Sequence, residues 1–165
     1  MRFLVRLATK SAWPGGEPSR ERAIADFQLR DGERGLSVWE YTDEAELNLA
    51  LAAMACERIE HGGKIDKLDF ITISSERVER IGIVTQTPGE TPLPRANNEL
   101  HRELQWTSDA LERLATGLFD EQHSVTRMSK SHVRKLLVDL DEDAVNSATV
   151  QATLAAERDR ETQRR

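Results

Sequence analysis

A basic segment in the last third of the chain carries the residues that most resemble a binding site. Between residues 124 and 138 the chain has four basic side chains and no acidic one. Hydroxyl and basic residues on one side of a valine–leucine stripe are typical of a DNA recognition helix. Its basic side chains would contact phosphates, and its serine and histidine would reach base edges. The candidate nucleic-acid-binding residues are Arg127, Lys130, Ser131, His132, Arg134 and Lys135.

The same pattern also fits an ordinary solvated helix face. Acidic residues follow directly, at Asp139, Asp141, Glu142 and Asp143. The connection at 123–128 is also longer than the turn of a helix-turn-helix motif. The sequence therefore predicts, as an alternative function, a DNA-binding regulator or antitoxin-like protein. It would use a helix-turn-helix-like segment at 111–140.

Two further groups of polar residues have the side chains that catalysis uses. His101 and Arg102 follow a proline-rich loop, where they would act as general base and anion clamp. Asp66, Asp69 and Glu76 would supply oxygen ligands for Mg²⁺. Each group also has a purely structural interpretation. The histidine would be a surface residue on a capped helix, and the three acids would be solvated residues at strand and helix ends. A small metal-dependent or acid–base enzyme is thus the second alternative.

Other catalytic and cofactor motifs are missing from the sequence. The four histidines have no paired spacing, and the single cysteine rules out thiolate-rich zinc sites. Cys56 lies in an apolar run, which predicts a buried side chain. The glycine pairs at 15–16 and 62–63 lack the flanks of a phosphate-binding loop. The sequence therefore predicts no catalytic residue, no metal site and no cofactor.

One stretch, residues 43–60, must organise the elements that position these residues. From Leu47 to Cys56 the only polar side chain is Asn48, and a helix that is apolar all round is buried all round. Asp43 and Glu46 form a predicted capping box, and the glycines at 62–63 a left-handed stop. The run is too short to cross a bilayer, so the protein itself must bury it.

The segments around this helix predict a sheet. Alternation predicts a strand at 3–9 with one buried face, and a hairpin of strands at 25–30 and 36–41. A strand at 68–73, helical turns at 74–82 and a strand at 83–86 follow, with one continuous ribbon over 68–86 as the alternative.

Helices dominate the remaining sequence. The proline-rich residues 87–95 predict an extended seam, and 97–106 fits either a helix or a strand. Helices are predicted from Thr107 or Ser108 to about Phe119, from Ser129 or Ser131 to Leu140, and over 144–160.

These elements predict an α+β fold with a small, mainly antiparallel sheet packed on one buried central helix. A mixed α/β body at 1–96, a helical region at 97–143 and a C-terminal helical extension at 144–165 are the predicted units. Residues 144–160 offer mostly alanines, so we expect them to be stabilised by docking on the body, a second copy or a partner.

The predicted function is a non-catalytic interaction or accessory subunit that binds a protein partner, or self-associates, through its C-terminal helices. Charge is uneven: residues 1–22 carry five basic and two acidic side chains, whereas 23–60 carry nine acidic and three basic ones. Such patches favour specific faces for partners. The net charge of −6 argues against broad affinity for nucleic acid or anionic membranes. The single cysteine and missing signal peptide predict a cytoplasmic protein.

Overall fold

Six strands form one antiparallel sheet in the computed structural model, which describes residues 1–33, 35–79, 84–86 and 91–163. Their order across the sheet is β4-β5-β2-β1-β3-β6, which places β1 and β2 in its interior. The strands are β1 Phe3–Leu7, β2 Leu36–Tyr41, β3 Leu68–Ser74, β4 Val84–Gln86, β5 His101–Leu104 and β6 Thr126–Met128.

Helices cover both faces of this sheet. In the described residues they are α1 Arg20–Ala25, α2 Glu44–Glu60, α3 Ser75–Glu79, α4 Pro94–Leu100, α5 Ser108–Asp120, α6 Lys130–Val138 and α7 Ala148–Thr162. Together with the sheet they give the α+β fold that the sequence predicts. None of these helices is long and apolar enough to cross a membrane.

The start and end of α2 follow from its sequence. The Asp43 carboxylate accepts a hydrogen bond from the Glu46 backbone N–H at 2.9 Å, and the Glu46 carboxylate accepts one from the Thr42 N–H at 2.7 Å. This confirms Asp43 as the N-cap, but the Glu46 carboxylate bonds the residue before the cap and not Asp43 itself, so the predicted capping box is only partly formed. At the other end Gly62 adopts φ +80°, and its N–H and that of Gly63 bond the carbonyls of Ile59 and Arg58. Glycine adopts this left-handed conformation without a Cβ penalty, so the helix stops here.

Most of the apolar run of α2 is buried between the sheet and three other helices, and its first residues, 47–49, are half-buried. Every residue from Ala50 to Cys56 is at most 4% exposed. This α2 core also contains Val5, Trp39 and Phe70 from the sheet, and apolar side chains of α4, α6 and α7. Because neighbours surround the helix, it needs no polar face.

The opposite face of the sheet packs against α1, α3 and α5. This α5 core joins Leu4, Val38 and Ile71 of the sheet to Leu111 and Leu114 of α5, with the Trp13 and Phe27 side chains packed edge to face at 5.9 Å. Sequence alternation predicts only one buried face for β1, but both are covered, since Leu4 and Val5 are 1% and 0% exposed.

The predicted hairpin of 25–30 with 36–41 is wrong. Ala25 ends α1, a turn follows, and β2 pairs with β1 and β5. The alternation at 25–30 reflects a turn that places Phe27 in the α5 core beside Leu36 and Val38. A side chain can reach the core from a turn as well as from a strand, which local alternation does not distinguish.

The structure also decides between the two predictions for the segment after β3. Helix α3 follows β3 directly, so the alternative of one ribbon over 68–86 is wrong. The predicted helical turns extend into residues 80–83, outside the described residues. Residues 97–106 are helix and then strand, because α4 ends at Leu100 and β5 begins at His101.

The proline-rich segment at 87–95, predicted as an extended seam between a mixed α/β body and a helical part, lies outside the described residues at 87–90, and its last residues, Pro94 and Arg95, begin α4. Strand β5, which follows it, pairs with β4 and β2, which precede it. Strand β6 also lies in the region predicted to be helical, and it pairs with β3.

Removing the N-cap of α2 tests its role. Asp43→Ala removes the acceptor for the Glu46 N–H, so we expect the free energy of unfolding to fall by about 1 kcal/mol. Urea denaturation with an unchanged m-value measures this loss. Asp43→Ser keeps a capping oxygen and serves as the control. Equal stability of the wild type and Asp43→Ala would contradict the assignment.

Candidate functional site

Arg127, the first candidate nucleic-acid contact, is bound to an acid within the fold. It lies on β6 opposite Asp69 of β3, and its Nε and Nη2 atoms lie 2.6 and 2.8 Å from the two carboxylate oxygens. The hydrogen bonds from this guanidinium lower the pKa of the Asp69 carboxyl. A guanidinium held in this two-pronged geometry has lost the side that would bind a phosphate.

Arg134 is also paired within the protein. Its Nε lies 2.7 Å from Oε2 of Glu157, a residue of α7 that is only 7% exposed. The other Glu157 oxygen binds Arg160 at 2.6 Å. Arg134 therefore joins α6 to α7 and does not face a partner.

The other four candidates remain at the surface. Lys130, Ser131, His132 and Lys135 are exposed, all on α6. The Ser131 hydroxyl lies 2.9 Å from that of Ser129, whose side chain caps the helix. Among the arginines and lysines of the predicted set, Lys130 and Lys135 are thus the two without an ion pair in the described residues.

The segment 111–140 does not form a helix-turn-helix. Helix α5 packs in the α5 core, whereas Val133 and Leu137 of α6 lie in the α2 core on the other face of the sheet. Strand β6 lies between the two helices and belongs to the sheet. Because the two helices do not pack as a pair, α6 has no supporting helix of that motif.

His101 and Arg102, the predicted general base and anion clamp, lie in strand β5, and His101 is buried and not the surface histidine of the alternative interpretation. His101 is 6% exposed and packs edge-on against Trp39, with ring centroids 5.0 Å apart. Nε of Arg102 donates to Oε2 of Glu40 at 2.8 Å. Glu40 also pairs with Arg2, so the charge of Arg102 is compensated within the sheet.

The three acids proposed for Mg²⁺ do not come together. Asp69 and Glu76 are near opposite ends of β3, and seven residues of strand span roughly 20 Å. Asp69 is bound to Arg127, and Asp66 accepts a hydrogen bond from the Lys67 N–H at 2.8 Å. Within the described residues no three His, Cys, Asp or Glu side chains are grouped to hold a metal ion.

Cys56 is sealed in the α2 core. Its side chain is 0% exposed, and burial raises the pKa of the thiol to about 12. The nucleophilic thiolate is therefore unavailable near neutral pH.

A polar cleft that sequence analysis did not predict opens at one end of the sheet. It encloses about 900 Å³ where β1 ends and β2 and β3 begin. One wall is the turn between α1 and β2, and the other is the end of α2 with the loop that leads to β3. Clefts of this size hold small molecules of up to drug size.

Arg6 of β1 lines this cleft. Its Nε donates to the Asp26 carbonyl at 2.8 Å and its Nη1 to the Ser37 carbonyl at 2.7 Å. Burial lowers the pKa of Arg6 to about 10, although the Asp26 carboxylate acts in the opposite direction. The side chain stays protonated at neutral pH, as a cation held by backbone carbonyls. No sequence signal singled it out, because a strand predicted to have only one buried face is expected to carry a charged residue on the other.

The C-terminal helix α7 forms a second candidate surface. It buries Val150, Leu154 and Glu157 against the body, and Nε of Arg158 donates to the Val138 carbonyl at the end of α6 at 3.1 Å. The Ser147 hydroxyl, which caps α7, donates to the Glu60 carboxylate of α2. Helix α7 therefore docks on the body of the same chain. This is one of the three predicted ways to stabilise it.

The first turns of α7 expose small side chains. We define the α7 face as Ala148, Thr149, Ala152, Ala155 and Ala156, and the longer side chains of Gln151, Asp159 and Arg160 on the same helix are also exposed. Exposed helix faces are usually polar, with long side chains. Small side chains allow another helix to approach closely, since interaxial distance depends on the residues at the contact.

Comparison with protein families, curated proteins and solved structures gives no significant match to this chain.

The Asp69–Arg127 pair gives the stability a defined acid dependence. Because folding lowers the pKa of Asp69, its contribution is present above the unfolded value of 3.8 and is lost as pH falls through the folded value. We therefore expect the stability difference between the wild type and Asp69→Asn to shrink as pH falls from about 5 to about 2. Urea denaturation across this pH range measures the difference. Arg127→Gln should show the same convergence, and a difference that stays constant with pH would contradict the pair.

Proposed function

We propose that this chain is a cytoplasmic, non-catalytic interaction subunit that binds a protein partner through its C-terminal helices. The observation that supports this proposal is the α7 face, a run of small, exposed side chains on a helix that is already docked. The partner contributes a helix whose larger apolar side chains lie across the alanines. Burying apolar surface there supplies the driving force.

The docking of α7 makes this surface suitable for a partner. Val150 and Leu154 anchor the helix in the α2 core, and the Arg134–Glu157 ion pair joins it to α6. A surface that is ordered before binding avoids the entropic cost of folding on contact. Exposed charges of both signs lie on neighbouring α6 and just after it, at Lys130, Lys135 and Asp139, which favours a partner with complementary charges there.

Nucleic acid is the alternative partner for the basic side of α6. With Arg127 and Arg134 in ion pairs, Lys130 and Lys135 would supply the phosphate contacts. Affinity that depends on so few phosphate contacts is weak, and it falls only slightly with added salt. A protein partner is therefore the proposal that the arrangement favours.

A crosslinking experiment can identify the partner. Because Cys56 is the only cysteine and is buried, Ala155→Cys introduces one reactive thiol on the α7 face. A photo-crosslinker there should capture one protein from the native host in stoichiometric amount, or a second copy of the chain. The same probe at Glu112→Cys, exposed on α5 across the sheet, is the control and should capture neither.

A paired substitution tests the contribution of the face. Ala155→Glu places a long charged side chain among the alanines, so we expect the affinity for the captured partner to fall at least tenfold. Its stability should change by no more than about 0.5 kcal/mol, as for other surface changes. Ala45→Glu makes the same change on the exposed start of α2 and should leave binding unaltered. Equal binding by both variants, measured by calorimetry, would rule out the α7 face, and capture of duplex DNA alone would favour the alternative.

A further inference from the structure

The charge of Arg6 has no acidic partner in the described residues. Its side chain donates two hydrogen bonds to backbone carbonyls, and no described carboxylate forms an ion pair with it. A guanidinium has more N–H donors than these two bonds use. None of its remaining N–H groups is fully buried without a hydrogen-bond partner. They are therefore accessible from the cleft that Arg6 lines. A partly buried cation without a counterion is costly unless something pairs with it.

Two aspartates that line the cleft are already engaged with other groups. The Asp26 carboxylate accepts hydrogen bonds from the Thr9 N–H, the Thr9 hydroxyl and Trp13 Nε1, each at 2.8 Å. The Asp69 carboxylate is bound on both oxygens by Arg127. Neither acid can turn to Arg6 without breaking these contacts. The carboxylates of Glu33 and Glu57 also act on the charge of Arg6, but both residues are exposed and neither forms an ion pair with it. A bound anion would therefore be the first group to pair directly with Arg6.

We propose that the cleft binds a small organic anion, with Arg6 pairing with its carboxylate or phosphate group. Both groups present two oxygens at the spacing of a guanidinium fork. The cleft volume of about 900 Å³ accommodates a metabolite-sized molecule. This site is separate from the α7 face, so it does not depend on the proposed protein partner.

The cleft walls limit what else the ligand carries. Arg58 and Lys67 add positive charge on the α2 side, where Nη1 of Arg58 donates to the Lys67 carbonyl at 3.1 Å. Glu33, Glu57 and Asp66 lie on the exposed rim. An anionic group therefore sits at Arg6, and polar or cationic groups of the ligand face the rim.

Two probe anions test the proposal on the full chain. Inorganic phosphate and succinate are titrated separately, with sodium chloride at equal ionic strength as the reference. We expect saturable shifts of the Ala8, Leu29 and Lys67 amide NMR signals and a rise in melting temperature, since a ligand that binds only the folded state stabilises it. A preference for phosphate indicates a phosphorylated ligand, and a preference for succinate an organic acid. Saturation by neither at about 10 mM, ten times a millimolar dissociation constant, would overturn the site.

Substitution of Arg6 links the binding to this residue. Arg6→Gln removes the charge, and we expect at least a tenfold loss of affinity for the preferred anion. Arg6→Lys keeps the charge without the fork and should lose less. Unchanged affinity in folded Arg6→Gln would overturn the proposal.

A second variant leaves the Arg6 hydrogen bonds in place, in case Arg6→Gln does not fold. Gln28 is exposed and lines the cleft, so Gln28→Glu adds a negative charge near the bound anion. Its affinity should fall about threefold or more, because like charges repel. Gln163→Glu makes the same change at the far end of α7 and should have no effect. Identical anion affinity in these two variants would also overturn the site.

Discussion

The burial of α2 between the sheet and the helices α4, α6 and α7 is the constraint on which the rest of this structure depends. A helix apolar on all sides cannot form the edge of a fold, because water would contact one of its faces. Its alanines, from Ala50 to Ala55, let neighbours approach from every direction, and Leu51 and Met54 fill the space between them. The C-terminal helices are therefore required to complete the α2 core, although they follow a proline-rich segment. The fold is closed by residues far apart in the chain.

Local signals were sufficient to predict elements that are specified by neighbouring residues. Asp43 and Glu46 mark the start of α2, and Thr107 and Ser129 cap α5 and α6, because a cap depends only on residues within one turn. Strand pairing depends on distant residues, and there the sequence was misleading. The alternation at 25–30 favoured a hairpin, whereas β2 pairs with β1 and β5. No local pattern reports which strand is the neighbour, or whether a second helical layer covers it.

Ion pairing at the candidate sites was equally unpredictable from local sequence. The sequence shows where cations are, but only the fold decides which of them meet acids. Arg127 and Arg134 look available for phosphates in a segment without acids, yet Asp69 and Glu157 reach them from distant parts of the chain. Arg6 shows the reverse case. It lies in an acid-poor strand that gave no reason to single it out, and the fold brings it into a cleft without giving it a carboxylate.

Arg6 also shows why a charge is tolerated in the interior of a sheet covered on both faces. It follows Leu4 and Val5, which are buried in opposite cores, and lies near the end of β1, where the helices no longer cover the sheet. Backbone carbonyls at Asp26 and Ser37 replace part of the water that solvates a free guanidinium, but they are dipoles and cannot neutralise its charge. The anion proposed for the cleft would supply the opposite charge that these dipoles cannot.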